Sequence, residues 1–186
     1  MIRIDPSLCV GCNACIRACH VNHANLSQNV GGKDVINVND NNCIRCGACV
    51  KVCSHKARYY DDDTKRFFSD IKSGKKITLL VAPAVRVAFS SNWKKVLKML
   101  RKAGADKIYD VSFGADICTY MHLKAVKEKR VGKIISQPCA ALTDHILKYK
   151  HELIPYLSPV HSPILCGAIY IKKYIGDRNP LAVLSP

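Results

Sequence analysis

The sequence has no apolar run long enough to cross a membrane. Its longest apolar stretches, ITLLVAPAV and ILCGAIYI, contain nine and eight residues, whereas a membrane-spanning helix needs about 20. The N-terminus, MIRIDPSLCV, also lacks the basic segment, apolar run and small-residue cleavage site of a secretory leader. We therefore expect a cytoplasmic protein with no membrane partner.

Acidic residues are scarce in the second part of the chain. Residues 71–186 contain 20 Lys and Arg against 7 Asp and Glu, whereas residues 1–70 contain 9 against 7. These basic residues are interleaved with apolar ones at helical spacing and accompany no recognition motif, which argues against a nucleic-acid partner. We expect a solvated face, or a surface that docks an acidic redox partner.

Cysteine, by contrast, is abundant, and eight of the eleven cysteines form a repeat. An odd total in a reducing compartment points to metal or redox chemistry rather than to disulfides. Two segments share the spacing C-x2-C-x2-C-x3-C, and their intervening residues agree in character, which indicates an internal duplication. The first copy contains Cys9, Cys12, Cys15 and Cys19, and the second contains Cys43, Cys46, Cys49 and Cys53.

This spacing is typical of 4Fe-4S clusters. Three close thiolates hold one face of a cubane, while the fourth cysteine of each copy is carried to the other cluster. We therefore predict two 4Fe-4S clusters, one on Cys9, Cys12, Cys15 and Cys53, the other on Cys43, Cys46, Cys49 and Cys19. The alternative is two structural zinc sites, which usually use C-x2-C pairs separated by a longer spacer. Residues 1–60 resemble the bacterial two-cluster ferredoxins, although His20 and Ser54 replace the proline that commonly follows the fourth cysteine.

Strands and helices alternate after residue 76. We predict a strand at ITLLV, a helix between Asn92 and Gly104, a strand at KIYDVS, a turn at FGAD and a helix to about Arg130. A strand at KIISQ, a helix from near Cys139, a helix at SPILCGAIYIKKYIG and a strand at PLAVLSP follow. The expected fold is an α+β ferredoxin-like two-cluster domain over 1–62, a connector over 63–76, and an α/β domain with a mostly parallel sheet over 77–186.

Cys139 lies outside the repeat. We expect it at the carboxyl edge of the parallel sheet, where binding sites gather, although a cysteine in a tight turn can also be a small buried residue. Cys118 and Cys166 match no ligand motif and are interpreted as core residues.

The second part of the chain resembles a known enzyme family. The segments APAVR (82–86), DVSFGAD (110–116), SQPC (136–139) and ELIPYLSPVHSP (152–163) are similar to the N-terminal portion of the catalytic domain of iron-iron hydrogenases. The resemblance implies that Cys139 is a ligand of the cubane of the catalytic hydrogen cluster. It also implies that the two ferredoxin clusters exchange electrons with that cluster.

Three residues depart from the pattern of active hydrogenases. Pro138 replaces the cysteine that relays protons, and Met121 and His122 replace acidic residues. Proline has no titratable group for proton transfer, so we do not expect rapid hydrogen turnover. The Gln-Pro-Cys variant is more similar to the divergent, sensory branch of the family.

Two interpretations stay open at this point. In the first, the chain is the N-terminal part of a hydrogenase-like protein whose remaining cluster ligands lie beyond Pro186, so that the full-length protein holds a third cluster. In the second, it is a non-enzymatic electron carrier whose α/β half only docks a redox partner. Iron content separates them, because two cubanes account for about 8 irons. The sequence leaves enzymatic activity undecided, since this chain lacks the remaining ligands.

Overall fold

The computed structural model describes residues 1–128 and 133–185. In chain order, its elements are β1 (Ile2–Ile4), α1 (Ala14–Arg17), β2 (Asn25–Val30), β3 (Lys33–Val38), α2 (Ala48–Lys51), β4 (Arg58–Tyr60), α3 (Thr64–Lys72), β5 (Ile77–Val81), α4 (Ala84–Ala88), α5 (Trp93–Ala103), β6 (Ala105–Asp110), α6 (Ser112–Lys127), α7 (Ala140–Tyr149), α8 (Pro163–Lys173) and β7 (Leu181–Leu184). Short 3-10 helices span Ser90–Asn92 and His151–Tyr156. The chain divides into two compact units, residues 1–62 with 139–155 and residues 63–138 with 156–186.

The first unit is built on two pairs of antiparallel strands. β1 pairs with β4, and β2 pairs with β3 through a tight turn at Gly31 and Gly32. Both glycines have positive φ, 60° and 82°, which a two-residue hairpin turn of this kind requires. Small and β-branched residues form the core together with four cysteines: Ile2, Ala24, Val35, Ile36, Cys9, Cys15, Cys43 and Cys49.

The second unit contains a parallel three-stranded sheet in the order β6-β5-β7. All five residues of the central strand β5 are buried, as expected for a strand covered on both faces. Leu79 and Val81 pack with Phe67 of α3 and Leu100 of α5. Leu80 points to the opposite face, where it packs with residues of α6 and α8. The predicted α/β fold with a parallel sheet is confirmed.

The turn predicted at FGAD is wrong, because these residues lie inside helix α6. The Asp110 carboxylate accepts hydrogen bonds from the Ser112 N–H (2.8 Å) and hydroxyl (2.6 Å), which stabilises the first turn of the helix. A Cβ at Gly114 would lie 2.2 Å from the Pro163 carbonyl oxygen. The glycine therefore permits close packing of α6 against α8 rather than a turn.

The strand predicted at KIISQ is also wrong. Within the described part of this segment, Ile135 pairs with Leu157 in an isolated parallel bridge, and KIISQ is no strand of the sheet. The expectation that Cys139 follows a sheet strand fails with it. The segment predicted as a connector, 63–76, contains helix α3. The predicted helix end at about Arg130 lies outside the described residues. Across residues 1–128 and 133–185, no helix is long and apolar enough to span a membrane.

Candidate metal centres

The duplicated cysteine segments adopt the same backbone conformation. Gly11 and Arg45, at equivalent positions, have φ of 66° and 59°. Asn13 and Gly47, again equivalent, have φ of 61° and 80°. Each loop then enters a four-residue helix, α1 or α2. The repeat in the sequence is thus a repeat in the structure.

Each loop has its glycine where another segment approaches closely. A Cβ at Gly11 would lie 2.9 Å from the Asp34 carbonyl oxygen, and one at Gly47 would lie 1.8 Å from the Tyr60 hydroxyl oxygen. The equivalent positions, Arg45 and Asn13, carry side chains in the same left-handed conformation, which asparagine tolerates better than most residues. Packing therefore decides which left-handed position in each loop is glycine.

Burial follows the same order in both copies. The first and third cysteines are buried, the second is exposed and the fourth is half-buried. The buried cysteines are Cys9, Cys15, Cys43 and Cys49; the exposed ones are Cys12 and Cys46; the half-buried ones are Cys19 and Cys53.

The eight cysteines surround two cavities. The first is lined by Cys9, Cys12, Cys15 and Cys53. The second is lined by Cys43, Cys46, Cys49 and Cys19. Each cavity therefore takes its fourth cysteine from the other copy of the repeat.

The donor set suits a cluster better than a single ion. Among the described residues, no three Cys, His, Asp or Glu side chains converge as one metal ion would require. The sulfurs instead line the walls of two cavities, and four cysteine sulfurs are the ligand set of a 4Fe-4S cluster. Zinc would need its four ligands close together in a tetrahedron.

A buried arginine lines the first cavity. Arg58 is 4% exposed, and its Nη2 donates a hydrogen bond to the Ile36 carbonyl oxygen at 2.6 Å. Its Nη1 is buried and has no hydrogen-bond partner among the described residues. An unpaired buried cation is costly, whereas a cluster held by four thiolates is anionic and has sulfur acceptors. The cavity therefore fits an anionic cluster. Arg58 is not among the residues predicted from the sequence. Its signal there is a basic residue in the aromatic strand-like segment after Cys53.

Arg58 also influences cysteines of both cavities. Burial raises the pKa of the Cys15 thiol, and Arg58 opposes that rise through its positive charge and a side-chain hydrogen bond. The same two effects act on the pKa of the Cys49 thiol. Cys15 lines the first cavity and Cys49 the second, so that the charge of Arg58 acts on one cysteine of each.

Cys139 is an exposed residue that precedes the first turn of helix α7. Its carbonyl oxygen accepts hydrogen bonds from the Thr143 N–H (3.1 Å) and hydroxyl (3.2 Å). Its side chain makes no capping hydrogen bond. The structure thus leaves the thiol exposed at the helix start, which does not fit the alternative of a small buried residue in a tight turn.

Helix α7 is attached to the loop of the second cavity. Lys148 Nζ donates to the carbonyl oxygens of Cys43 (2.8 Å) and Asp40 (3.0 Å). The Tyr149 hydroxyl donates to the Asn42 carbonyl oxygen at 2.8 Å. All three acceptors belong to the turn that leads into the second cysteine loop.

An ion pair joins the middle of the same helix to this loop. The Arg45 guanidinium donates two hydrogen bonds, of 2.7 and 2.9 Å, to the Asp144 carboxylate. Arg45 stands between Cys43 and Cys46, and its backbone N–H donates to the Cys43 sulfur at 3.3 Å. The loop of the second cavity is therefore held by the middle and the C-terminal end of α7.

The other cysteines and the substituted positions belong to the second unit. Cys118 and Cys166 are buried, as predicted, and both thiols lie near the His161 carbonyl oxygen, at 3.3 and 3.5 Å. His122 Nε2 lies 2.8 Å from the Ser158 hydroxyl oxygen. Met121 is exposed.

Comparisons with known proteins agree with both resemblances. Residues 8–57 match the model of the 4Fe-4S dicluster domain, and residues 75–184 match that of the iron only hydrogenase large subunit, C-terminal domain. A solved structure of HydA(deltaEFG), described for stepwise FeFe-hydrogenase H-cluster assembly, is 22% identical with a TM-score of 0.54, over 66% of this chain and 37% of that one. A variant of FeFe-hydrogenase HydA1 from Chlamydomonas reinhardtii is 22% identical with a TM-score of 0.54, over 66% and 36%.

The solved structures and the family models support different conclusions. At 22% identity the solved structures show the fold alone, and the chain spans little more than a third of their length. The dicluster match supports the predicted 4Fe-4S clusters, so that the chain is an iron-sulfur protein with a hydrogenase-like fold, which fits a role in electron transfer. The large-subunit match covers more than half of the 186 residues, and the chain therefore belongs to the iron-only hydrogenase large-subunit family.

Proposed function

We propose that this chain carries electrons through two 4Fe-4S clusters to or from a third cluster whose first ligand is Cys139. The observation that carries the proposal is the crossed grouping of the eight cysteines around two cavities. The proposed ligands of the first cluster are Cys9, Cys12, Cys15 and Cys53, and those of the second are Cys43, Cys46, Cys49 and Cys19. A bound 4Fe-4S cluster supplies one-electron transfer.

The protein holds the two centres close together and partly shielded from solvent. The two short helices that carry Cys15 and Cys49 contact each other, and both cysteines are buried. Cys12 and Cys46 are exposed. Each centre thus has one side toward solvent, where an electron can enter, and one side toward its neighbour.

Helix α7 supports an exit through the second centre. A helix rises about 1.5 Å per residue, so that Cys139 stands roughly 14 Å along the axis from Lys148, whose amine contacts the Cys43 carbonyl. The ion pair between Asp144 and Arg45 lies between these two points. The path from the second cysteine loop to Cys139 is therefore one helix held by side-chain contacts.

Single cysteine substitutions test the ligand assignment. Cys53→Ser should leave the same electron paramagnetic resonance (EPR) spectrum as Cys9→Ser, because both remove the first cluster, and iron should fall from about 8 to about 4 per chain. Cys19→Ser should match Cys43→Ser. Cys166→Ser, at a buried thiol outside both cavities, is the control and should keep all the iron. If Cys53→Ser matches Cys43→Ser instead, the crossed assignment is wrong.

The third cluster is tested in the native full-length protein. We expect more than 8 irons per chain there, and a loss of about 4 with Cys139→Ser. An unchanged iron content would favour the alternative, a non-enzymatic ferredoxin-type carrier whose α/β half docks a redox partner.

The substituted positions support sensing rather than rapid turnover. Pro138 and Met121 have no titratable group with which to move a proton, and both stand where the family resemblance implies such groups. Hydrogen uptake and evolution by the native protein should be slow relative to the reduction of its clusters by added dithionite. Turnover faster than that reduction would contradict a sensory role.

The partner proposed for the second unit is an acidic redox protein. Five basic residues of α5, all exposed, have no acidic residue on the same helix: Lys94, Lys95, Lys98, Arg101 and Lys102. Such a surface attracts an acidic protein and loses that attraction in salt. We propose a cytoplasmic setting for this exchange and no membrane or nucleic-acid partner.

A further inference from the structure

Among the described residues, Arg58 is the one buried arginine whose role the assigned ligands leave unexplained. It lies on β4, where its backbone pairs with Ile4 of β1. Its Nη2 is fixed by the Ile36 carbonyl oxygen at 2.6 Å. The guanidinium is planar and rigid, so that this contact also fixes the direction of Nη1, which lacks a partner among the described residues.

The surroundings of Arg58 are mostly apolar and sulfur-rich. The first cavity, which it lines, is formed chiefly by cysteines and small or apolar residues. Charges in such a site are poorly screened and act over longer distances than at the surface. A purely structural arginine would need partners for its remaining donors, because an unsatisfied charged donor is costly to bury.

We propose that Arg58 tunes the reduction potentials of the two clusters, by donating a hydrogen bond from Nη1 to sulfur in the first cavity and by placing a positive charge near both. Reduction adds one electron to an already anionic cluster, and a nearby cation stabilises the reduced form. Hydrogen bonds to sulfur and net charge are among the factors that set such potentials. The shift is larger for the first cluster, whose cavity Arg58 lines, than for the second. The inference concerns the two ferredoxin-type clusters and does not depend on the third.

The test is an anaerobic redox titration of the full chain with both clusters bound, followed by EPR. Arg58→Met removes the charge and the donors while keeping a long side chain. At a fixed solution potential we expect the ratio of reduced to oxidised first cluster to fall about tenfold, which is about 59 mV for a one-electron couple. The signal of the second cluster, identified in Cys53→Ser, should shift less.

Two further variants separate charge from structure. Arg58→Lys keeps the positive charge, so the reduction potential of the first cluster should stay close to that of the unsubstituted protein. Arg58→Gln keeps only a neutral donor, so the potential should fall nearly as far as in Arg58→Met. Arg3→Met is the matched control, because Arg3 lies on the neighbouring strand with a side chain 42% exposed and paired with Asp40 and Asp61. Solvent and salt screen that charge, and the potentials should stay near those of the unsubstituted protein.

Iron and sulfide are measured in each variant to show that both clusters are bound before the potentials are compared. If Arg58→Met does not bind both clusters, the reduction potentials of Arg58→Lys and Arg58→Gln are compared instead, and the proposal requires them to differ. Unchanged potentials in a fully loaded Arg58→Met or Arg58→Gln protein would overturn the proposal and leave Arg58 a structural residue. An equal shift in Arg3→Met would overturn it too, because the effect would then be general charge rather than this site.

Discussion

Lys148 donates a hydrogen bond to the backbone carbonyl of Cys43 at 2.8 Å, across 105 positions of sequence. The same amine reaches the Asp40 carbonyl oxygen at 3.0 Å. One side chain thus connects the helix that begins after Cys139 to the first cysteine of the second loop.

Replacing Lys148 should loosen helix α7. Hydrogen bonds from a charged donor contribute about 1.5–3 kcal/mol, and partial exposure places this one near the lower end. In Lys148→Met, amide hydrogen exchange over residues 140–149 should be about tenfold faster, which corresponds to about 1.4 kcal/mol. Lys150→Met is the control, because the Lys150 amine is exposed and its ion pair with Glu152 spans 3.9 Å. Equal exchange in the two variants would mean that Lys148 does not anchor the helix.

Gly114 should resist substitution. A Cβ there would lie 2.2 Å from the Pro163 carbonyl oxygen, so that Gly114→Ala forces α6 and α8 apart. We expect a loss of about 1–3 kcal/mol in the free energy of unfolding, the range for overpacked cores. Urea unfolding followed by Trp93, the single tryptophan and a residue of the second unit, measures it. In Gly167→Ala the nearest contact of the new Cβ is the Phe113 ring at 3.3 Å, so that this variant should cost less; the reverse order would contradict the packing argument.

Asp177 predicts a pH dependence of the second unit. Burial acts to raise the pKa of Asp177, but hydrogen bonds from the Asn179 N–H and the Thr78 hydroxyl, together with Lys107, outweigh it and lower that pKa. A carboxyl whose folded pKa is lowered stabilises the fold fully above its unfolded pKa and loses that contribution as pH falls through the folded value.

The variant Asp177→Asn isolates this contribution. The unsubstituted protein should exceed it in unfolding free energy by about 1–3 kcal/mol from pH 7 down to about pH 5. The difference should shrink below about pH 4. Urea unfolding followed by Trp93 fluorescence gives the free energy of unfolding of both proteins at each pH. Any loss of clusters in acid affects both proteins alike and cancels in the difference. A difference that grows toward low pH would contradict the lowered pKa.

The basic face of α5 predicts salt-sensitive docking. Lys95→Glu combined with Lys98→Glu should weaken binding of an acidic ferredoxin at least about tenfold at low salt, and the difference should fade as ionic strength rises. Surface plasmon resonance over a salt series measures this. Lys65→Glu with Lys72→Glu makes the same change of net charge on α3 and should have little effect. If both pairs weaken binding equally, α5 is no specific docking surface.

Local sequence decided the two cysteine loops and most of the second unit. Close spacing brings three thiolates of each loop together whatever the rest of the chain does, and the long apolar run of β5 can be satisfied only in the centre of a sheet. The amphipathic pattern of α5, ended by Gly104, likewise needs no distant residue. These elements follow from chain geometry and hydrophobic periodicity, which act over a few residues.

Tertiary structure decided what depends on partners far away in the chain. FGAD lies in a helix whose Gly114 packs closely against Pro163. KIISQ has an apolar pattern that suits a strand, but Ile135 pairs with Leu157 in an isolated bridge instead of joining the sheet. Cys139 begins a helix held by Asp40, Asn42 and Cys43. Arg58, unremarkable in the sequence, becomes a buried cation that lines the first cavity. Burial and distant hydrogen bonds arise only when separated segments meet, so that the sequence by itself determined the cluster-binding loops and the tertiary structure determined their surroundings.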